Sequence, residues 1–290
     1  MTQPVITARN LSKSFGSFHA LKGVSFDVPE GRIVGVIGAN GAGKTTLLNA
    51  ILGLSACEGE LSVLGLDPKK DRDALMQDVC FIADVATLPK WMKVSEVLEY
   101  VEGVHPKFDR SKAEDYLKRT TVPMDRKIKA LSKGMTVQVH LAVVMSIDAK
   151  VLVLDEPTLG LDIIFRKNFY SDLLEEYFDE ERTILITTHN VEEIEHILSD
   201  VIFIRDGQIV LNEEMDTLSS SYIELMVDKG KEADAESMKP VSRGATFGKK
   251  TFIYKGADRE ALNALGETRR LGLADIFVAT VGDSQTVGKE

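Results

Sequence analysis

Cysteine is nearly absent from the sequence. Cys57 and Cys80 stand apart without metal-ligand spacing, so neither a disulfide scaffold nor a thiolate metal site is expected, and a reducing compartment is the simplest home. The five histidines, His19, His105, His140, His189 and His196, are scattered, and no pair has the spacing of a zinc site. No apolar run approaches the roughly 18 residues that a membrane-spanning helix needs. The opening residues, MTQPVITARN, lack a basic stretch followed by an apolar core, so no secretory leader is expected. Eight prolines and 22 glycines are too few for a low-complexity chain, and no internal repeat is visible. Positive charge is short as well: 35 Lys and Arg face 45 Asp and Glu, a net charge of -10. That balance is wrong for a protein that holds DNA or anionic membranes through basic patches, so nucleic acid is not expected among its partners.

What is present is the composition of an ordinary soluble globular protein, 44% hydrophobic and 28% charged. Its 290 residues suffice for one large domain plus something small. Strands are expected at 5–9 and 24–28, with buried strands at 33–37, 79–83, 151–154 and 183–187; 33–37 is a short apolar run without alternation, the pattern of a strand covered on both faces. Residues 201–204 and 208–211 flank Asp206-Gly207, a hairpin signal. A helix is expected from Lys44 to Leu52, with Gly53 placed where a left-handed cap is wanted. From Leu88 to Met145 the helical period dominates, with Ser95 as one cap, Ser111 and Glu114 as a capping box, and 136–146 as a further helix. Residues 228–239 are charged, poor in large apolar side chains, and read as a linker. Beyond them a strand at 250–255, a helix at 258–270 and a strand at 276–281 make a small α+β module that could barely bury a core alone.

The segment 38–45 reads GANGAGKT, which is G-x-x-x-x-G-K-[ST], between an expected strand and an expected helix. Such a loop turns backbone N–H groups inward around phosphate oxygens and adds the positive end of the helix dipole. Lys44 offers its charge to the β- and γ-phosphates, and Thr45 offers a hydroxyl to Mg²⁺. Residues 151–156 read VLVLDE, an apolar strand ending in two carboxylates, a costly pair unless metal or solvent occupies the site. After a phosphate-binding loop, Asp155 is the expected Mg²⁺-side carboxylate and Glu156 the base that activates the attacking water. His189 closes the strand TILITTH at the same sheet edge, where it could bond a γ-phosphate oxygen; the plainer reading is a structural histidine.

These residues carry a resemblance: about residues 4–218 are similar to the ATP-binding subunits of ABC transporters, with that family's motifs in that family's order. Phe15, in LSKSFGSFHAL, matches the aromatic that stacks on adenine. Gly38, Asn40, Gly41, Ala42, Gly43, Lys44, Thr45 and Thr46 fall on the nucleotide-binding Walker A segment, and Asp155 and Glu156 on Walker B and its catalytic glutamate. LSKGM at 131–135 stands where the LSGGQ signature belongs and keeps Ser132 and Gly134. Asp162, in TLGLD, matches the D-loop aspartate, and His189 the H-loop histidine. A GTPase fits less well, because the base-reading N-K-x-D motif is missing. The implied architecture is α/β: a P-loop NTPase core over 1–218 with a helical subdomain at about 88–145, a linker at 219–239 and a small α+β module at 240–290.

The chain departs from the family pattern in three places. Lys133 and Met135 replace a Gly and a Gln of the signature; Lys133 either adds a cation near a phosphate or is simply solvated. Asp84 replaces the glutamine of the Q-loop and becomes a candidate Mg²⁺-side residue, since a carboxylate can hold the ion or its water. The tail beyond 218 is outside the resemblance.

The resemblance implies ATP and Mg²⁺ as cofactors and a head-to-tail dimer, homomeric or heteromeric, in which Ser132 of one subunit completes the Walker site of the other. It also implies a separately encoded polytopic membrane permease, a place at the cytoplasmic face of the membrane, and an exporter-class ATPase of prokaryotic type. Trp91 follows the Q-loop where the family meets its membrane subunit, so it is either an interface anchor or a filler of the helical insert. Two other readings stay open: a soluble ABC ATPase acting on a macromolecular partner, and an ATP-gated regulatory module with little turnover. On this reading a cut after Ser219 leaves Mg²⁺-ATP binding intact.

Overall fold

The computed structural model describes residues 4–82, 88–159, 163–246 and 248–282. In chain order its strands are β1 (Ile6–Phe15), β2 (Phe18–Val28), β3 (Ile33–Ile37), β4 (Glu58–Val63), β5 (Val79–Ile82), β6 (Val151–Asp155), β7 (Thr183–Thr188), β8 (Asp200–Arg205), β9 (Gln208–Glu214), β10 (Tyr222–Val227), β11 (Ser242–Thr246), β12 (Lys249–Lys255) and β13 (Gly266–Arg270). β3, β6 and β7 are buried at every position, as their unbroken apolar runs require. They lie at the centre of a six-stranded sheet of order β5-β6-β7-β3-β8-β9. All its pairings are parallel except the β8–β9 hairpin. That hairpin turns at Asp206 and Gly207, both with positive φ (50° and 76°), the twist a tight two-residue connection prefers.

Period-two alternation divides the sheet between two cores. Val34, Val36, Val151, Val153 and Leu185 face one side, packing with Leu47, Leu48 and Ile51 of the helix Lys44–Ile51. The antiparallel sheet β2-β1-β4 closes over that side. Ile33, Ile37, Leu152, Leu154, Ile184 and Ile186 face the other side, against the helices Val94–Val104, Arg110–Lys118 and Lys133–Met145. The helix Ile163–Asp172 adds Phe169 and Tyr170 to the same core. This is the α/β architecture the sequence implied, with its helical stretch where expected.

The helix starts differ from expectation, for tertiary reasons. Ser95 does not cap the first helix of the insert. The amides of Val94 and Ser95 donate to the carbonyls of Arg126 and Met124, so the start moves to Lys93, whose amide donates to Glu96 at 2.8 Å. The second helix is capped by Asp109, which accepts from the Lys112 amide at 3.2 Å. Glu114 there pairs with Arg110 at 2.9 Å instead of closing a capping box.

The C-terminal region departs furthest. Within the stretch read as a linker, Tyr222–Val227 forms β10, an interior strand of a four-stranded antiparallel sheet of order β11-β12-β10-β13. The charged segment supplies the helix Glu232–Ser237, whose Ala235 joins Ile223, Leu225, Val227, Phe252, Tyr254 and Leu262 in a small core. The single helix expected at 258–270 is a short helix, Arg259–Asn263, followed by β13. Gly266 makes that pairing feasible, because a Cβ there would lie 2.1 Å from the Met226 carbonyl oxygen. The strand expected at 276–281 is part of the helix Leu273–Val281. Leu273 and Ile276 are buried in the main core, and Phe277 meets Phe203 edge-on at 5.1 Å. A helical face set against the main core outweighs the strand preference of a β-branched run.

Candidate functional site

The loop after β3 and the ends of β6 and β7 meet at one edge of the sheet, because register aligns Ile37 with Thr188 and Asp155 with Thr187. Between them opens a cleft of about 490 Å³ bordered by Asn40, Gly41, Gly43, Lys44, Thr45, Thr46, Asp155, Glu156 and His189. Gly43 has φ +113°, and a Cβ there would sit 2.7 Å from the Ala20 carbonyl oxygen; no other residue satisfies both constraints. Gly38 and Ala42 do not border the cleft. Gly38 gives its carbonyl to Lys44, and the Ala42 carbonyl accepts the Gly207 amide at 2.9 Å, so the β8–β9 turn braces the loop.

The Lys44 side chain is buried and folded back, its Nζ donating to the Gly38 carbonyl at 2.7 Å and the Ala39 carbonyl at 3.3 Å. Burial lowers its pKa, opposed by the nearby carboxylates of Glu156 and Asp155. A buried ammonium resting on neutral carbonyls, beside the orphan amides of a helix N-terminus, is suited to a phosphate chain. Thr45 Oγ1 donates to Asp155 Oδ2 at 3.2 Å, while Asp155 Oδ1 accepts from Thr187 Oγ1 at 2.5 Å. One hydroxyl and one carboxylate, both hard oxygens beside a phosphate site, are the protein ligands that Mg²⁺ ordinarily takes.

Glu156 occupies a left-handed conformation, φ +49°. Its amide is shared between the carbonyl and the hydroxyl of Thr187, at 3.1 and 3.2 Å. Its Oε2 lies 2.8 Å from His189 Nδ1. The carboxylate therefore stands at the mouth of the cleft with the imidazole against it.

The aromatic border holds a residue that motif matching missed. Phe15 and Phe18 face each other across the tip of the β1–β2 hairpin, and both are more than half exposed. Phe18, with Ala20, borders the cleft, whereas the Phe15 ring lies beneath Lys13 Nζ at 5.0 Å. Only the hairpin register carries this signal, since both phenylalanines stand in the same short segment. Leu159 and Thr187 were also missed.

Ser132 and Gly134 open the helix Lys133–Met145 outside this cleft. Ser132 is its N-cap, accepting from the Met135 amide at 3.2 Å, and Lys133 beside it is exposed. Asp84 and Asp162 lie outside the described residues. Trp91 is 68% exposed, so it does not fill the helical insert, and Tyr100 and Val104 are exposed on the helix that follows it. No helix among the described residues is long and apolar enough to cross a membrane.

Residues 21–159 match the family model described as ABC transporter. The chain is 28% identical over 290 residues to the ABC transporter ATP-binding protein YtrB of Bacillus subtilis, covering 96% of this chain and 98% of that protein. It is 31% identical over 209 residues to the ABC transporter ATP-binding protein NatA of Bacillus subtilis, over 70% of this chain and 85% of that one, and 33% identical over 214 residues to the sulfate/thiosulfate import ATP-binding protein CysA of Acinetobacter baylyi, over 70% of this chain and 60% of that one. In fold it is similar to a dimeric ATP-binding cassette solved in a post-hydrolysis state with ADP and phosphate, with a TM-score of 0.63, 23% identity, and coverage of 72% of this chain and 98% of the other.

Proposed function

Since the chain belongs to the ATP-binding proteins of ABC transporters, a family of ATPases, we propose that it binds Mg²⁺-ATP in the cleft and hydrolyses it to drive export through a separate membrane permease. The observation that carries the reading is the convergence of Lys44, Thr45, Asp155, Glu156 and His189 on one cleft. Lys44 exchanges the Gly38 and Ala39 carbonyls for β- and γ-phosphate oxygens. Thr45 and Asp155 hold the cation, which when bound neutralises phosphate charge and polarises the γ-phosphoryl group. Glu156 accepts a proton from the water whose oxygen attacks the γ-phosphorus, and His189, released from Glu156, donates to a γ-phosphate oxygen. Phe18 supplies an aromatic face for the base where it borders the cleft, with Phe15 paired to it across the hairpin tip.

Ser132 and Gly134 serve the site of a second subunit, homomeric or heteromeric, so that ATP bridges two surfaces and its hydrolysis reopens them. The permease docks at the face bearing Trp91, which keeps this chain at the cytoplasmic side of the membrane. Export rests on the altered signature, Lys133 and Met135.

Steady-state hydrolysis is expected to fall by about 100-fold or more in Glu156→Gln, with ATP binding retained. Equal, negligible rates in both proteins would leave a regulatory module with little turnover. Tagged Glu156→Gln protein, recovered from detergent-solubilised membranes with ATP, is expected to carry a polytopic membrane protein in stoichiometric amount. Recovery of soluble macromolecules alone would move the function to the soluble ABC ATPases.

A further inference from the structure

We propose that Thr187 is the positioning residue that aims both acidic groups of the site, a role that rests on the nucleotide-site reading above. Thr187 is fully buried near the end of β7, directly opposite Asp155 in the parallel register. Its hydroxyl works in both directions. It donates to Asp155 Oδ1 at 2.5 Å and accepts from the Glu156 amide at 3.2 Å. With Oδ1 held, the carboxylate cannot rotate, and Oδ2 is left pointing at Thr45, 3.2 Å away. The cation-binding pair is thus aligned before any ion arrives, by a neutral, fully buried group that does not itself border the cleft.

The same hydroxyl secures the strained residue. Glu156 at φ +49° is a conformation that a non-glycine residue keeps only when its surroundings enforce it. The carbonyl and hydroxyl of Thr187 both take its amide. Two residues further along, His189 meets the carboxylate. One strand end therefore grips Asp155 by its side chain and Glu156 by its backbone. Valine at 187 matches the shape and strand preference of threonine but leaves Asp155 Oδ1 buried without this donor. Serine keeps the hydroxyl.

The test compares wild type, Thr187→Val, Thr187→Ala and Thr187→Ser, using a fluorescent ATP analogue titrated with Mg²⁺ alongside steady-state ATPase measurements. Thr187→Val and Thr187→Ala are expected to need about 10-fold more Mg²⁺ for half-maximal nucleotide binding and to lose about 10- to 100-fold in kcat. KM for ATP at saturating Mg²⁺ should move less than about threefold, and Thr187→Ser should stay within about threefold of wild type on every readout. Wild-type Mg²⁺ dependence and kcat in Thr187→Val would overturn the assignment and leave the ATPase reading standing; so would equal damage in Thr187→Ser. A wild type that binds nucleotide without turnover would overturn the hydrolytic reading, while the Mg²⁺ titration would still judge Thr187. Absence of nucleotide binding in the wild type would overturn both.

Discussion

Glu156 shows how a single residue can be set by its neighbours. Its left-handed backbone costs on the order of 1–3 kcal/mol for a non-glycine side chain, and bonds from Thr187 and His189 hold it there. A second residue carries a pH effect. Burial pushes the His140 imidazole down to about 4, and its Nδ1 has no hydrogen-bond partner among the described residues. The unfolded chain takes up this proton below its ordinary pKa of about 6.5, while the folded chain resists it until about pH 4. Between those values the unfolded state binds more protons. Stability therefore falls as pH is lowered through that window and is fully present above it, by roughly 3 kcal/mol over the whole range. The thermal midpoint of the wild type is expected to drop more steeply from pH 6.5 to pH 4 than that of His140→Gln; parallel curves would refute the assignment. Lys44, Thr45, Asp155, Glu156 and His189 were all legible in the sequence, because each belongs to a short motif with its own chemistry. Thr187 and Phe18 were not. One acts across two paired strands, and the other is distinguished from Phe15 only by which side of a hairpin tip meets the cleft.

At the scale of elements, the loop and helix around Gly43 make the sharpest test. A methyl group there meets the Ala20 carbonyl oxygen at 2.7 Å and forces an L side chain to φ +113°, whereas one at Gly41 meets nothing within 4 Å. Gly43→Ala is expected to cost about 2 kcal/mol or more and to abolish nucleotide binding. Gly41→Ala should cost about 1 kcal/mol, the penalty of a left-handed backbone alone. Chemical denaturation of both variants, with ATP binding measured in parallel, checks the contrast; equal losses would show that the loop is not pinned against β2. The buried strands were legible because unbroken apolar runs have one stable place, inside a covered sheet. Helix starts were less so. The amides of Val94 and Ser95 find carbonyls of a distant turn, so the local cap moves from Ser95 to Lys93, where Glu96 closes it. β13 and the helix Leu273–Val281 reversed the local signals, since Gly266 let one segment approach β10 and the main core claimed one face of the other.

On the scale of the whole molecule, the C-terminal residues are structural partners of the nucleotide-binding core. Leu271, Leu273 and Ile276 are buried with Val191, Ile194 and Ile197, which directly follow His189 and Asn190 in the chain. Arg205 donates to the Val281 carbonyl at 3.1 Å, next to the turn that braces the phosphate loop. Each large apolar side chain buried here contributes about 1.5–3 kcal/mol, against a total stability of about 5–15 kcal/mol for a typical domain. A chain cut after Ser219, which the sequence alone suggested would bind nucleotide unaffected, is expected to melt lower than the full chain by several degrees, with weakened ATP binding. Equal midpoints and affinities by thermal scanning and nucleotide titration would show the core to be independent of its tail. The sequence by itself determined the α/β core and the residues of the candidate nucleotide edge, because strand periodicity, loop glycines and motif spacing act over a few neighbouring residues. Only the tertiary structure decided what grips Asp155 and Glu156, which phenylalanine borders the cleft, and where the last helix packs. Each of those depends on groups tens of residues apart in sequence, brought together by strand register and by the burial of faces that no local pattern specifies.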